Sequence, residues 1–184
     1  MDASHAGRLI APAVAPGDVW ADLGAGTGTF TAALARLVGH EGRVYAVERD
    51  ARAVGALGVL AQRESSDSGR LTVVHGDFTE PLDLPVLDGV LLANALHFVP
   101  DGEQWSLLAR LATSLNADGA VVIVEYDNRP RSRWVPFPVS LARLDNLARQ
   151  AGLAAPVLVG RRGSDYGGTM YAARLDRHAA SKAS

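Results

Sequence analysis

The sequence has no cysteine, and all but one of its basic side chains are arginines. The missing thiols exclude disulfides, thiolate zinc sites, iron–sulfur clusters and a cysteine nucleophile. Lys182 lies two residues from the end, a poor position for a Schiff base or a phosphate-binding loop. No apolar run reaches the roughly 18 residues that a membrane helix needs. The first residues lack the features of a secretion signal, so we expect a cytoplasmic protein without membrane contact.

The length of 184 residues, with 48% hydrophobic and 21% charged residues, is typical of one globular domain. We expect that domain over residues 1–175 and a flexible tail over residues 176–184. The net charge of −2 divides into −9 for residues 1–127 and +7 for residues 128–184. This balance does not favour nucleic acid as a partner, but the C-terminal third is suited to attract an anion.

Apolar runs with strand character alternate with amphipathic helical runs along the chain. Such alternation predicts an α/β fold, a doubly wound, mostly parallel seven-stranded sheet with helices on both faces. The expected strands are 19–23, 43–48, 71–75, 87–93, 120–126, 156–160 and 169–175, and the expected helices are 30–39, 50–63, 104–115 and 139–151.

A glycine-rich turn, Asp22-Leu23-Gly24-Ala25-Gly26-Thr27-Gly28, joins the first strand to the first of these helices. Glycines let the backbone approach a ligand closely, and the helix N-terminus favours a carboxylate or phosphate. The third glycine comes one residue earlier than in the dinucleotide pattern. Glu48, 20 residues after Gly28, ends the second strand, where an acid can accept both ribose hydroxyls. Together these features predict a ligand that contains adenosine.

Over nearly its whole length the sequence resembles the class I S-adenosylmethionine-dependent methyltransferases. The resemblance implies S-adenosylmethionine as cofactor, S-adenosylhomocysteine as product, and an antiparallel hairpin of the last two strands. It implies that the glycine turn holds the methionine part, with Asp22 below it, and that Glu48 holds the ribose. Arg49, Asp77 and Phe78 would surround the adenine, and Asn94 would close over the methionine and sulfonium. The cofactor-binding residues implied are Asp22, Gly24, Ala25, Gly26, Gly28, Glu48, Arg49, Asp77, Phe78 and Asn94.

A sulfonium is already a potent methyl donor, so the protein must chiefly align the reactants, exclude water and in some cases remove a proton. His97, after the fourth strand, is the best candidate for a base, although it can equally be a hydrogen-bonded wall residue. Glu125, Tyr126 and Asp127 end the fifth strand and face the same crevice. Asp127 is the single carboxylate in a position that suits a metal, so no metal is expected.

The acceptor is expected to be a small molecule. The stretch after the fourth strand, Ala93-Asn94-Ala95-Leu96-His97, lacks the Asn/Asp-Pro-Pro-Tyr turn of amino-methylating enzymes. Residues 128–138, which we call the lid, combine three arginines with two aromatic residues and are suited to an anionic, partly apolar acceptor. Few residues precede the first strand, so a second copy of the chain could help to cover the site.

Two alternatives remain open at this stage. One is an NAD(P)-dependent oxidoreductase, because related folds bind dinucleotides at a glycine turn of this kind. The other is a cofactor-binding protein without catalytic activity.

Overall fold

The computed structural model describes residues 1–64, 70–164 and 167–177. Within these ranges seven strands form one sheet, in the order β3-β2-β1-β4-β5-β7-β6. Strands β1 to β5 are parallel to one another, whereas β7 is antiparallel to both β5 and β6. The predicted fold, including the antiparallel C-terminal hairpin, is therefore confirmed. The strands are β1 (Val19–Leu23), β2 (Arg43–Glu48), β3 (Leu71–His75), β4 (Leu87–Ala93), β5 (Leu115–Tyr126), β6 (Val157–Gly163) and β7 (Thr169–Asp176).

Helices cover both faces of the sheet. Apolar side chains of α1, α2 and α3 contribute to one core, and those of α4 and α5 contribute to the other. Local sequence fixes several helix ends: the Ser140 hydroxyl accepts the Arg143 N–H at the start of α5, and Gly39 follows the last residue of α2. None of the described helices is long and apolar enough to cross a bilayer. The helices are α1 (Ala3–Ile10), α2 (Thr29–Val38), α3 (Ala51–Glu64), α4 (Gln104–Thr113) and α5 (Leu141–Gln150).

Strand β5 shows why the apolar runs are continuous rather than alternating. Val121 and Ile123 belong to one core, while Val122 and Val124 belong to the other, and all four are fully buried. Because successive strand residues point to opposite faces, a strand with helices on both sides must be apolar at every position.

The strand order places a crevice at one edge of the sheet. Strand β1 lies in the middle of the sheet, between β2 and β4. After β1 the chain adds β2 and β3 on one side, and it then returns to add β4 and β5 on the other side. At such a reversal the loops after the strands separate, and they leave a ligand-binding crevice at the carboxyl ends. The loops that follow β1, β2, β3 and β4 all lie there.

Some element ends differ from the predicted ones. Strand β5 begins at Leu115, earlier than predicted, because Leu115 pairs with the start of β4. Strand β6 runs on to Gly163, paired with the start of β7. Two residues of the predicted flexible tail are paired: Asp176 ends β7, and Arg177 forms an isolated bridge. Residues 178–184 lie outside the described ranges.

Candidate active site

A first cavity of about 410 Å³ lies where the loops after the first four strands meet. It contains most of the predicted cofactor-binding residues. Its walls are formed by Gly24, Ala25, Gly26, Glu48, Arg49, Gly76, Asp77, Phe78, Thr79, Ala93, Asn94, Ala95, Phe98 and Val99. Two predicted residues, Asp22 and Gly28, do not line it.

The glycine turn keeps this cavity open. Gly24 has a φ of +75°, and a Cβ there would lie 2.9 Å from the Ala95 Cβ and 3.2 Å from a Phe78 ring carbon. Gly28, with a φ of +91°, faces helix α3 instead, since its Cβ would lie 2.6 Å and 3.0 Å from side-chain atoms of Leu60 and Leu57. A side chain at Gly24 would therefore press on Ala95 and Phe78, two residues of the cavity wall, whereas Gly28 makes room for helix packing.

Glu48 joins the end of β2 to the glycine turn. One carboxylate oxygen accepts the Gly26 N–H at 2.8 Å, and the other accepts the N–H groups of Arg49 and Asp50, each at 2.8 Å. These bonds hold the half-buried carboxylate against the turn. Each carboxylate oxygen has two lone pairs, so acceptor capacity is left for a ligand in the cavity.

Asp22 lies beneath the turn and is buried, with only 1% of its surface exposed. The Thr31 hydroxyl of α2 donates to its carboxylate at 2.6 Å. Burial raises the pKa of Asp22 to about 7, the bond from Thr31 opposes that rise, and the nearby Glu48 carboxylate adds to it. Asp22 thus links β1 to α2 and supports the turn from below.

Asp77 and Phe78 lie after β3 and line the same cavity, with the Phe78 ring next to Gly24 of the turn. Burial acts to raise the pKa of Asp77, but the N–H and hydroxyl of Thr79 and the Arg49 guanidinium outweigh it, so the pKa is lowered. Arg49 donates to the Asp77 carboxylate at 3.1 Å, although Arg49 itself is largely exposed. Arg49, which directly follows β2, is therefore in direct contact with Asp77 in the segment after β3.

Arg110 of α4 fixes this segment from behind, a role that the sequence did not predict. Its guanidinium donates to three consecutive backbone carbonyls, those of Phe78 at 2.8 Å, Thr79 at 2.9 Å and Glu80 at 3.0 Å. Arg110 does not line the first cavity. Its position on an ordinary amphipathic helix gives no local signal of this contact.

Asn94 directly follows β4 and lines both this cavity and a second one. Among the described non-glycine residues it alone has a positive φ, of 54°. Its Oδ1 is buried and accepts no hydrogen bond from any described part of the chain. Asn94 thus places an unsatisfied buried acceptor at the boundary of the two cavities.

The second cavity has a volume of about 650 Å³ and adjoins the first, because Asn94 and Phe98 belong to both walls. Aromatic rings dominate it, with one histidine and one arginine. Its lining residues are Asn94, His97, Phe98, Tyr126, Arg129, Trp134 and Val135.

His97 is held by a buried carboxylate from β5. One Glu125 oxygen lies 2.7 Å from His97 Nδ1, and the other accepts the His97 backbone N–H at 3.1 Å. The side chains are 3% and 0% exposed, respectively. Of the candidate residues near this crevice, His97 and Tyr126 line the second cavity, while Glu125 and Asp127 do not.

The lid arginines are arranged differently from the prediction. Each stacks on an aromatic ring, with Arg131 over Phe137 at 4.6 Å and Arg133 over Trp134 at 4.7 Å. Arg129, over Tyr126 at 4.8 Å, is the lid arginine that lines the second cavity. The lid therefore presents one guanidinium to a ligand rather than three.

Gln104 at the start of α4 is a second residue that the sequence did not single out. Its buried amide donates to the carbonyls of Leu96, Val99 and Phe137, and its oxygen accepts from Arg143 of α5. It joins the segment that carries His97 to the end of the lid.

Asp127, the carboxylate considered for a metal, accepts the Leu141 N–H at the start of α5 and lies 3.6 Å from Arg161. Within the described ranges no group of three or more His, Asp or Glu side chains is arranged to hold a metal ion.

Residues 21–119, more than half of the chain, match the methyltransferase domain family. The chain therefore belongs to that family. The family membership predicted from the sequence is confirmed, and the nicotinamide alternative loses its support.

The chain is 34% identical over 158 residues to the ribosomal RNA small subunit methyltransferase A of Leifsonia xyli subsp. xyli, covering 83% of this chain and 55% of that protein. It thus spans about half the length of this curated relative. The solved 1,6-didemethyltoxoflavin-N1-methyltransferase of Burkholderia thailandensis is 24% identical, with a TM-score of 0.75 over 95% of this chain and 77% of that one. The mitomycin 7-O-methyltransferase is 21% identical, with a TM-score of 0.72 over 95% and 53%. Both solved structures share the fold.

Proposed function

We propose that this chain moves a methyl group from S-adenosylmethionine to a small-molecule acceptor by in-line displacement. The cofactor would bind in the first cavity and the acceptor in the second. One observation carries the proposal: the two cavities adjoin, with Asn94 and Phe98 in both walls. In-line transfer needs donor and acceptor side by side, shielded from water, and two adjoining cavities meet that need.

The first cavity fits the cofactor on several counts. Backbone N–H groups use three of the four lone pairs of the Glu48 carboxylate, which leaves one on the oxygen bound to Gly26 for a ribose hydroxyl. Asp77 and Phe78 provide an acceptor and an aromatic face for the adenine. The methionine part would lie against the glycine turn and beside Asn94, which line the same cavity. When bound, S-adenosylmethionine supplies an activated methyl group. Asp22 and Gly28 would shape this site without touching the ligand.

The second cavity favours a small, partly aromatic acceptor. The rings of Phe98, Tyr126 and Trp134 offer stacking surfaces, and Arg129 offers a positive charge for an anionic group. We assign His97 as the base that takes a proton from the acceptor. The toxoflavin-precursor and mitomycin enzymes named above act on small molecules, which supports this acceptor class. The ribosomal RNA methyltransferase named above supports RNA as the competing class of acceptor.

Calorimetry with S-adenosylhomocysteine tests the cofactor site. Glu48→Gln replaces a charged acceptor by an amide and should weaken binding by about 10- to 100-fold, which corresponds to a loss of about 1.5–3 kcal/mol. Glu41→Gln, an exposed glutamate that does not line the cavity, is the matched control and should bind as the wild type does. Equal affinity of the two variants, or binding of NAD in place of S-adenosylhomocysteine, would contradict the proposal.

Transfer of a labelled methyl group tests the acceptor. The wild-type protein would be offered a panel of hydroxylated aromatic acids and, separately, ribosomal RNA. Labelled small molecules support the proposal. Labelled RNA would assign the chain to the other acceptor class, and cofactor binding without any transfer would indicate a binding protein.

A further inference from the structure

We propose that Glu125 is a positioning residue that fixes His97 in the tautomer with its proton on Nδ1, so that Nε2 is the proton acceptor in the second cavity. The inference rests on the proposed function for the use of that acceptor, but the tautomer itself depends on the protein alone.

With Glu125 ionised, the geometry leaves its carboxylate only one bonding pattern. A backbone N–H is always a donor, so the carboxylate oxygen that lies 3.1 Å from the His97 nitrogen must accept from it. The second oxygen lies 2.7 Å from Nδ1, and an ionised carboxylate can only accept there as well. Nδ1 therefore carries the proton. In a neutral imidazole the other ring nitrogen, Nε2, is then an acceptor.

The surroundings of the ring direct Nε2 to the cavity. His97 lines the second cavity, and its Nε2 has no hydrogen-bond partner in the described part of the chain. The Phe98 ring packs beside the imidazole, with centroids 4.4 Å apart. The His97 carbonyl accepts the Phe137 N–H at 3.0 Å, which fixes the backbone from the lid side. The ring is thus held on one nitrogen and open on the other.

This arrangement indicates an acceptor that must lose a proton to react, of which a hydroxyl is the clearest case. The hydroxyl proton passes to Nε2 as the oxygen bonds to the methyl carbon. The sulfur–methyl bond breaks with its electron pair left on sulfur, and the imidazolium later releases the proton to water. Glu125 stabilises that imidazolium, since its carboxylate lies against Nδ1.

Glu125→Gln separates this role from simple packing. The amide keeps the size of the side chain but has only one accepting oxygen for two donors. When that oxygen serves the backbone N–H, the amide NH₂ faces Nδ1 and forces the proton onto Nε2. Turnover should then fall by about 100-fold or more, by analogy with the loss of the correct tautomer in other dyads. Affinity for S-adenosylhomocysteine should remain within about twofold of wild type, because Glu125 does not line the first cavity.

Nitrogen-15 NMR of labelled full-length protein at mildly alkaline pH reads the tautomer directly, without cofactor or acceptor. We expect a protonated Nδ1 and an unprotonated Nε2 in the wild type, the reverse in Glu125→Gln, and the wild-type pattern in Glu41→Gln. A wild-type ring protonated on Nε2, alone or together with Nδ1, would overturn the proposal. The wild-type spectrum decides this even when the variant does not fold. Failure of S-adenosylhomocysteine to bind would instead contradict the proposed function and leave the tautomer assignment standing.

Discussion

Replacing Asp22 by asparagine should change how the stability of the protein depends on pH. Burial raises the pKa of this carboxyl from 3.8 to about 7, so the folded state binds the proton more tightly than the unfolded state does. The wild-type protein therefore has the full benefit of a protonated Asp22 below about pH 4 and loses it as the pH rises towards 7. Asparagine is neutral throughout and shows no such loss.

The size of the change in stability follows from the size of the pKa shift of Asp22. A change of about 3 pKa units, at about 1.4 kcal/mol per unit, corresponds to about 4 kcal/mol of unfolding free energy. Other carboxylates titrate in both proteins and cancel in the comparison. The stability of Asp22→Asn relative to wild type should therefore increase by about 4 kcal/mol between pH 4 and pH 8.

Urea unfolding of both proteins at a series of pH values measures this difference. Thr31→Val is a useful third protein, because the Thr31 hydroxyl lowers the pKa of Asp22 and its removal should extend the titration to higher pH. A stability difference between Asp22→Asn and wild type that does not vary with pH would refute the reasoning. It would mean that the carboxyl titrates alike in the folded and unfolded states.

Two further predictions concern residues around the first cavity. Gly24→Ala and Gly28→Ala should both destabilise the fold by about 1–3 kcal/mol, since both positions have positive φ. Gly24→Ala alone should also abolish most S-adenosylhomocysteine binding in calorimetry, and equal binding by the two variants would contradict the assigned roles. Arg110→Met should weaken that binding by about 10-fold and reduce the preference for adenine over hypoxanthine in the ligand. Calorimetry with S-adenosylhomocysteine and with its inosine analogue measures this preference. An unchanged preference in the variant would show that Arg110 does not position the segment that is proposed to bind adenine.

The parts of the site that depend on local sequence were predictable. A turn such as the one at Gly24 has a recognisable pattern because a close backbone approach requires glycine, and Glu48 follows at the end of the next strand. Strand β4 likewise places Asn94 at the crevice, since the carboxyl ends of parallel strands share one edge. The pattern alone could not separate Gly24 from Gly28, because Gly28 faces α3 while Gly24 faces residues after β3 and β4, and the sequence does not show how these segments pack.

The contacts that hold the site together were not predictable, since they join residues far apart in the chain. His97 and Glu125 are 28 positions apart, and Arg110 contacts carbonyls some 30 positions before it. Glu125 gave a partial signal, because a charged residue that ends a buried apolar run requires a partner. The lid arginines show the same limit. The sequence does not indicate which of them lines the second cavity, and in the structure Arg129 does while Arg131 and Arg133 stack on nearby rings.

The positive φ of Asn94 explains how one strand end serves two cavities. At 54° the backbone turns sharply after β4, so Asn94 stays at the wall between the cavities while His97, three residues on, reaches the second one. Asparagine tolerates this conformation better than other residues with a side chain. Most residues proposed to bind the cofactor thus lie at the ends of β1, β2 and β3, while the segment after β4 carries both Asn94 and the proposed base, whose partner is on β5. Glu48 and Glu125 lie on different strands at different cavities, so substitutions at Glu48 and at Glu125 should affect affinity and turnover separately.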